Sequence, residues 1–364
     1  MSVRSTLAEI APLVLDRSGL VRAGFPKRAI PDAVRTGALR RLRPGRYIDA
    51  AFWNRANDRD RHLAAILAAN PPHAHTRTDS AGGDPGRLLS HLSAATLHGL
   101  PVWSRWIRAG SLTPDPTTLH EVVPPGAANG GSPSTRRHRL PLGDAEVVRI
   151  EGFRCTALHR TVFDLARTEP FAVALACADE VLRRTARVRY RVDHEAWDAW
   201  RRALLERAAR LPRGRGVRAV RALAALAHPL ADSPLESVSR LRLLQLGIDV
   251  ELQYPVPAED GGTLRLDFRF VGLELFGECD GRAKYVDEEL RQGRTADDIS
   301  YAEKLRYDWV CGTTDMRGVR WGAAQAASAD RLAARLRAFR VAVPGTATLS
   351  YGSEVADFLN RLPR

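Results

Sequence analysis

The chain has 364 residues, of which 45% are hydrophobic and 27% charged, with a formal net charge of +13 at neutral pH. These proportions exclude a disordered or fibrous chain, and the length outgrows one ordinary core, so two or three folded parts are expected. The positive excess favours a polyanionic partner, nucleic acid above all. Arginine carries nearly all of it, because Lys27, Lys284 and Lys304 are the three lysines. Cys155, Cys177, Cys279 and Cys311 form no CxxC pair and no zinc spacing with histidine, so they read as reduced core thiols. No signal peptide and no run of ~20 apolar residues is present, so the expectation is a cytoplasmic protein with no membrane partner.

Residues 6–15 carry Leu7, Ile10, Ala11, Val14 and Leu15 at helical spacing, with Pro12 interrupting and Gly19 ending the element. A second short helix is expected over 29–34, stopped by Gly37; Pro31 either interrupts this segment or is the first residue of the helix, where proline is tolerated. Residues 39–48 read as strand, Pro44-Gly45 turn and strand. Short helices followed by a basic hairpin give the order of a winged helix-turn-helix. Lys27, Arg28, Arg40, Arg41, Arg43 and Arg46 are its candidate phosphate contacts. The turn Arg43-Pro44-Gly45-Arg46-Tyr47 resembles that of the N-terminal domain of AbiEi-type antitoxins.

A helix is expected over 61–69 and a polar loop over 73–87. Residues 88–102 read as a strand end entering a helix with Ser93 at its start. His91 and His98 lie two helical turns apart. A metal pair there would lack a third ligand, and polar groups satisfied by caps and backbone are the simpler reading. A strand is expected over 119–125, a loop over 126–134, and then the basic run Arg136, Arg137, His138, Arg139. Residues 146–167 read as a hairpin and a helix opened by Thr156, followed by an apolar helix over 171–182. Residues 63–184 are similar to the second domain of the AbiEi-like family, which implies a scaffold for DNA or partner contact, including a cognate toxin. Residues 183–221 are rich in arginine with Trp197 and Trp200 interleaved, either a solvated helix face or a phosphate-tracking surface.

The acidic residues concentrate further on. Ser233, Pro234 and Glu236 open a helix by capping, first-turn proline and dipole. Strands are expected over 252–256, 264–270 and 273–280, turned by Gly261-Gly262 and Gly272. Asp267 and Glu278 fall on neighbouring antiparallel strands, and Glu278 and Asp280 point the same way. Converging carboxylates repel one another, and a hard divalent cation, Mg²⁺ or Mn²⁺, relieves this, so Asp267, Glu278 and Asp280 are the candidate metal ligands. A helix over 296–309 and an edge strand over 310–312 follow.

The run through Ser233–Ser237, Asp267, Glu278, Asp280, Lys284 and residues 302–309 resembles DUF559 proteins, the Vsr-like branch of the PD-(D/E)XK nuclease fold. The resemblance implies catalytic roles for Glu236, Asp267 and Glu278, with Asp280 as ligand or base and Lys284 on the attacked phosphate. Lys304 would reach a phosphate from the following helix. The sequence departs from the motif in carrying Asp280 where a lysine is expected.

Four segments are expected: a winged helix-turn-helix over 1–55, an α+β middle domain with a basic helical linker over 56–228, an α/β PD-(D/E)XK domain over 229–345, and a helical tail over 346–364. The function they imply is a DNA-binding protein with a Mg²⁺-dependent endonuclease domain. The alternative is a non-enzymatic regulator or antitoxin with a degenerate nuclease fold.

Overall fold

The computed structural model describes residues 5–70, 86–105, 107–108, 113–126, 132–280 and 296–364, with the backbone alone for Asp280, Ala296, Ile299 and Ser300. The chain is multidomain and mixed α/β, with several sheets in two compact units. Among the described residues no helix is long and apolar enough to cross a membrane.

The N-terminal unit spans Val3–Trp103 and Thr113–Leu165. Thr6 and Glu9 close a capping box on α1 (Leu7–Ile10), and Pro12 turns the rest of that periodic stretch into a 3₁₀ turn, Ala11–Leu13. Strand β1 (Leu15–Asp16) leads into α2 (Arg17–Arg22). Gly19, expected to end a helix, instead lies inside α2, because the Asp16 carboxylate caps its N–H at 2.6 Å and starts a new helix there. A 3₁₀ turn, Lys27–Ala29, precedes α3 (Ile30–Arg35), which Gly37 closes at φ +79°. Hairpin strands β2 (Leu39–Arg43) and β3 (Arg46–Asp49) join β1 in the order β1-β3-β2. Leu20, Ile30, Leu39 and Tyr47 form the small core beneath them.

Helices α4 (Ala50–Arg55), α5 (Asp58–Ala69) and α6 (His91–Leu97) follow. Ser93 does not open α6; the helix starts two residues earlier, after Ser90, and Ser93 Oγ accepts the backbone N–H of His120. Strands β4 (Leu119–Val123) and β5 (Thr135–Arg139) pair in parallel, and β6 (Val147–Ile150) and β7 (Phe153–Thr156) antiparallel. Leu89 bridges β4 and β7. Thr156, expected as a helix opener, ends β7, and α7 (Leu158–Thr168) begins two residues later.

The C-terminal unit holds Ser104–Leu112 and Ala166–Arg364. Helix α8 (Phe171–Thr185), the short strands β8 (Arg187–Val188) and β9 (Arg191–Val192), α9 (His194–Ala209) and α10 (Val217–Leu226) precede α11 (Pro234–Gln245). Four strands, β10 (Val250–Pro257), β11 (Thr263–Phe270), β12 (Leu275–Asp280) and β13 (Arg317–Gly322), lie in sequence order. The first three are antiparallel, and β12 and β13 pair in parallel across α12 (Ala296–Thr314). Residues 310–312, expected as an edge strand, are helical: Val310 packs against Leu266 and Phe276, and the Thr313 and Thr314 hydroxyls bond back to the carbonyls of Trp309 and Val310. Helices α13 (Ala323–Ala326), α14 (Ala329–Ala338) and α15 (Ser353–Asn360) complete the unit.

Helix α11 is buried from Leu235 to Gln245, so each polar side chain on it needs a partner. Arg240 pairs with Asp179 of α8 at 3.0 Å. Arg242 donates to Gln245 Oε1 at 2.7 Å and to the Pro363 carbonyl at 3.0 Å. Ser239 Oγ accepts the Trp321 indole N–H at 2.9 Å, which fixes that ring over β12. A Cβ on Gly277 of β12 would sit 2.4 Å from the Trp321 ring. Trp321 stacks on Phe268 and cannot yield easily. Gly277→Ala is therefore expected to destabilise the C-terminal unit by at least about 2 kcal/mol in denaturant unfolding, as overpacking of a close-packed core does.

Candidate functional site

The helix start that carries Glu236 is set by local chemistry. Ser233 Oγ accepts from Glu236 N at 3.2 Å, and Glu236 Oε2 accepts from Asp232 N at 2.8 Å. This reciprocal cap turns the Glu236 carboxyl back toward the sheet, where Gln253 Nε2 donates to the same Oε2 at 3.1 Å. Gln253 sits in β10 at φ +51°, a left-handed conformation that is costly inside a strand. Its backbone carbonyl accepts from Arg265 Nη1 at 3.1 Å.

Asp267 projects from β11 and accepts the Cys279 N–H of β12 at 2.9 Å. Ligand atoms of Glu236, Asp267 and Cys279 all lie within 4.8 Å of one another. Burial first, and then the charge of Asp267, push the Glu236 carboxyl up to about 8; the N–H of Asp232 opposes them. A carboxyl so perturbed in a cleft marks a candidate functional group.

Glu278 lines the same cleft, a cavity of about 370 Å³, with Tyr190, Arg265 and Glu303. Its buried carboxylate is held by Arg306 on one oxygen and by Arg320 at 2.9 Å on the other. Arg306 also donates to the Arg265 carbonyl at 2.6 Å, and Trp309 Nε1 to the Pro257 carbonyl at 2.9 Å, so α12 is pinned to the hairpin. Tyr190 lies at the cleft with Arg187 and Arg265 against its ring, 5.1 and 4.7 Å from the centroid.

Of the residues singled out in the sequence, Glu236, Asp267 and Glu278 line this cleft, but the carboxyl that approaches Asp267 is that of Glu236; Glu278, expected as a metal ligand beside Asp267, is instead paired with Arg306 and Arg320. Asp280 ends β12, but its side chain, and all of Lys284, lie outside the described residues. Lys304 is exposed on α12 and lines a neighbouring cavity with Tyr307, Arg335 and Phe339. In the N-terminal unit Lys27, Arg28, Arg40 and Arg41 are exposed, with Arg40 over the Trp53 ring at 4.6 Å. Arg43 is half-buried and donates to the Ser134 carbonyl at 3.1 Å, and Arg46 lies 3.8 Å from Asp16, so both are tied to their own fold. The arginine-rich stretch is also partly neutralised: Arg183 and Arg184 pair with Glu180, and Arg187 with Asp232. Gln253, Arg306, Arg320 and Tyr190 were not singled out as site residues. Strand alternation places Arg265 and Asp267 on one face, but nothing local points from Glu278 to arginines 28 and 42 residues away.

No protein-family profile matches the chain. Over 135 residues it is 31% identical to an uncharacterized protein in each of two strains of Mycobacterium tuberculosis, CDC 1551 / Oshkosh and ATCC 25618 / H37Rv. The match covers 37% of this chain, and the chain spans 45% of the length of each relative.

Glu236 gives the cleft a pH signature. Its folded-state pKa lies above the unfolded value, so its contribution to stability is full below the ordinary carboxyl range and is lost as the pH rises through about 8. Glu236→Gln is neutral throughout and should flatten that decline. Relative to wild type it should gain on the order of a few kcal/mol in unfolding free energy between about pH 5 and pH 8. Identical pH dependence in urea titrations of the two proteins would contradict this environment for Glu236.

Proposed function

We propose that the chain is a DNA-binding protein whose C-terminal unit hydrolyses phosphodiester bonds with the aid of Mg²⁺ or Mn²⁺. The observation that carries this reading is the approach of Glu236 to Asp267 in a cleft that Arg265, Arg306 and Arg320 also line. Two carboxyl groups this close resist joint ionisation, and a cation is the simplest relief. Glu236 and Asp267 supply the hard oxygens that would hold it; Cys279 Sγ is too soft a donor to contribute. When bound, such an ion acidifies a water and offsets charge developing on phosphorus.

The remaining work falls to the chain's own groups. Arg265, Arg306 and Arg320 would seat phosphate oxygens with planar, multidentate donors. Glu236 Oε2 accepts two N–H groups, from Asp232 and Gln253, which orient the carboxyl in the cleft. We read residues 5–49 as the winged helix that the sequence resembles, supported by their order of helices and the β1-β3-β2 sheet. Lys27, Arg28, Arg40 and Arg41 are its phosphate contacts. The order of α11, three antiparallel strands, α12 and β13 likewise supports the nuclease-fold reading.

One observation favours a second reading. The Glu278 carboxylate is committed to two guanidinium groups, which suits a regulator or antitoxin that keeps the fold as a DNA- or toxin-binding module without catalysis.

Two measurements separate these readings. Supercoiled plasmid and branched DNA, incubated with Mg²⁺ or Mn²⁺, should be nicked, and Asp267→Ala should lower the rate by roughly a hundredfold or more. Equal cutting by the two proteins, or no cutting with either metal, removes the nuclease reading. Arg41→Ala should weaken duplex binding by the same factor on every sequence and reduce the salt slope by about one. An unchanged slope takes Arg41 out of the interface.

A further inference from the structure

The N-terminal unit holds a second convergent cluster, remote in sequence from the acidic residues. His91 lies at the start of α6, His120 in β4 and His138 in β5, and one ring nitrogen of each lies within 4.8 Å of the other two. His91 and His120 are buried and His138 is half-buried, so the cluster opens to solvent on one side.

The scaffold around it is rigid. Ser90 N donates to the His120 carbonyl at 2.9 Å, and His120 N donates to Ser93 Oγ at 2.9 Å, so the start of α6 is fastened to β4 on both sides of His91. The parallel β4–β5 register, with Val122 opposite His138, sets His138 diagonally across from His120. His91 itself is held at φ +47°, a left-handed conformation that persists only where the surroundings demand it.

We infer that His91, His120 and His138 form a binding site for a late first-row divalent cation of the Zn²⁺ class. Neutral imidazole nitrogens are the donors that Zn²⁺, Ni²⁺ and Cu²⁺ prefer, and three of them leave a fourth position for solvent. His138 Nε2 and His120 Nδ1 are 3.1 Å apart. Two nitrogens on one tetrahedral zinc are about 3.3–3.4 Å apart, given a zinc–nitrogen bond of about 2.0–2.1 Å. That pair therefore needs little movement to share an ion in place of a proton. His91 Nδ1 contacts Ser90 Oγ at 3.0 Å, a contact of the kind that orients a ligating ring. The His91 ring now stacks on His138 with centroids 3.5 Å apart. Parallel rings cannot aim their lone pairs at one point, so the ion draws the His91 ring out of the stack.

The test uses the full chain without a histidine tag, stripped with chelator and re-equilibrated with Zn²⁺. Both the parent protein and an E236Q/D267N variant, which disables the acidic cleft, should retain one Zn²⁺ per chain by elemental analysis. Adding H120A/H138A to that variant should weaken zinc binding by roughly a hundredfold in chelator competition. Retention of no zinc by the parent, or equal affinity after the histidine substitutions, overturns the site. Should those substitutions unfold the unit by circular dichroism, wild-type protein decides. Zn²⁺ must then shield His91, His120 and His138 from diethyl pyrocarbonate in peptide mapping; unshielded modification of all three overturns the proposal.

Discussion

The C-terminal unit depends on one buried ion pair. Asp179 of α8 and Arg240 of α11 are each about 98–99% removed from solvent, and the guanidinium Nη2 meets both carboxylate oxygens at 3.0 and 3.2 Å. Burial pushes the Asp179 pKa up, and Arg240, with the His228 N–H at 2.8 Å, pulls it down. Arg240 also donates to the Leu226 carbonyl that closes α10. Such a pair adds little to stability beyond what an apolar pair of the same shape would give. Its geometry is strict, because losing either partner strands a charge at a cost of about 3–5 kcal/mol. It therefore sets the position of α11 against α8 and α10. Glu236 lies one helical turn before Arg240, and inherits that position.

Two glutamates then meet the same low-dielectric environment in opposite ways. Glu278 is compensated by two cations, Arg306 and Arg320. Glu236 has no cation beside it among these contacts and faces another acid, so burial and Asp267 push its carboxyl up to about 8. One cleft thus contains a fixed ion cluster and, beside it, a group able to exchange a proton near physiological pH. The strained backbone at Gln253 serves the second of these, because its side chain is one of the two donors on Glu236 Oε2.

Much of this framework is legible in the residue order. The cap of Ser233, Pro234 in the first turn of α11, the alternation of 264–270 and the turns at Gly261 and Gly272 are local effects, and each appears where local chemistry puts it. The misread elements are those that distant packing decides. Val310 and Cys311 look like strand residues, but the core beneath α12 keeps them helical. The basic run at 135–139 has no apolar alternation, and becomes β5 because β4 offers it a parallel partner. The same pairing supplies the third histidine that His91 lacked in the sequence, where His98 was the neighbour within reach. His98 Nε2 instead meets the Thr156 carbonyl at 2.8 Å.

Residues 359–363 close α11 from below. Gln245 Nε2 donates to the carbonyls of Leu359 and Pro363, and Arg242 Nη1 to that of Pro363. Short segments outside a core usually open locally, and their amides exchange with solvent almost freely. Here release of the tail uncovers a buried guanidinium and a buried amide at once. The amides of α15 should therefore exchange deuterium on the timescale of global opening, along with those of α11.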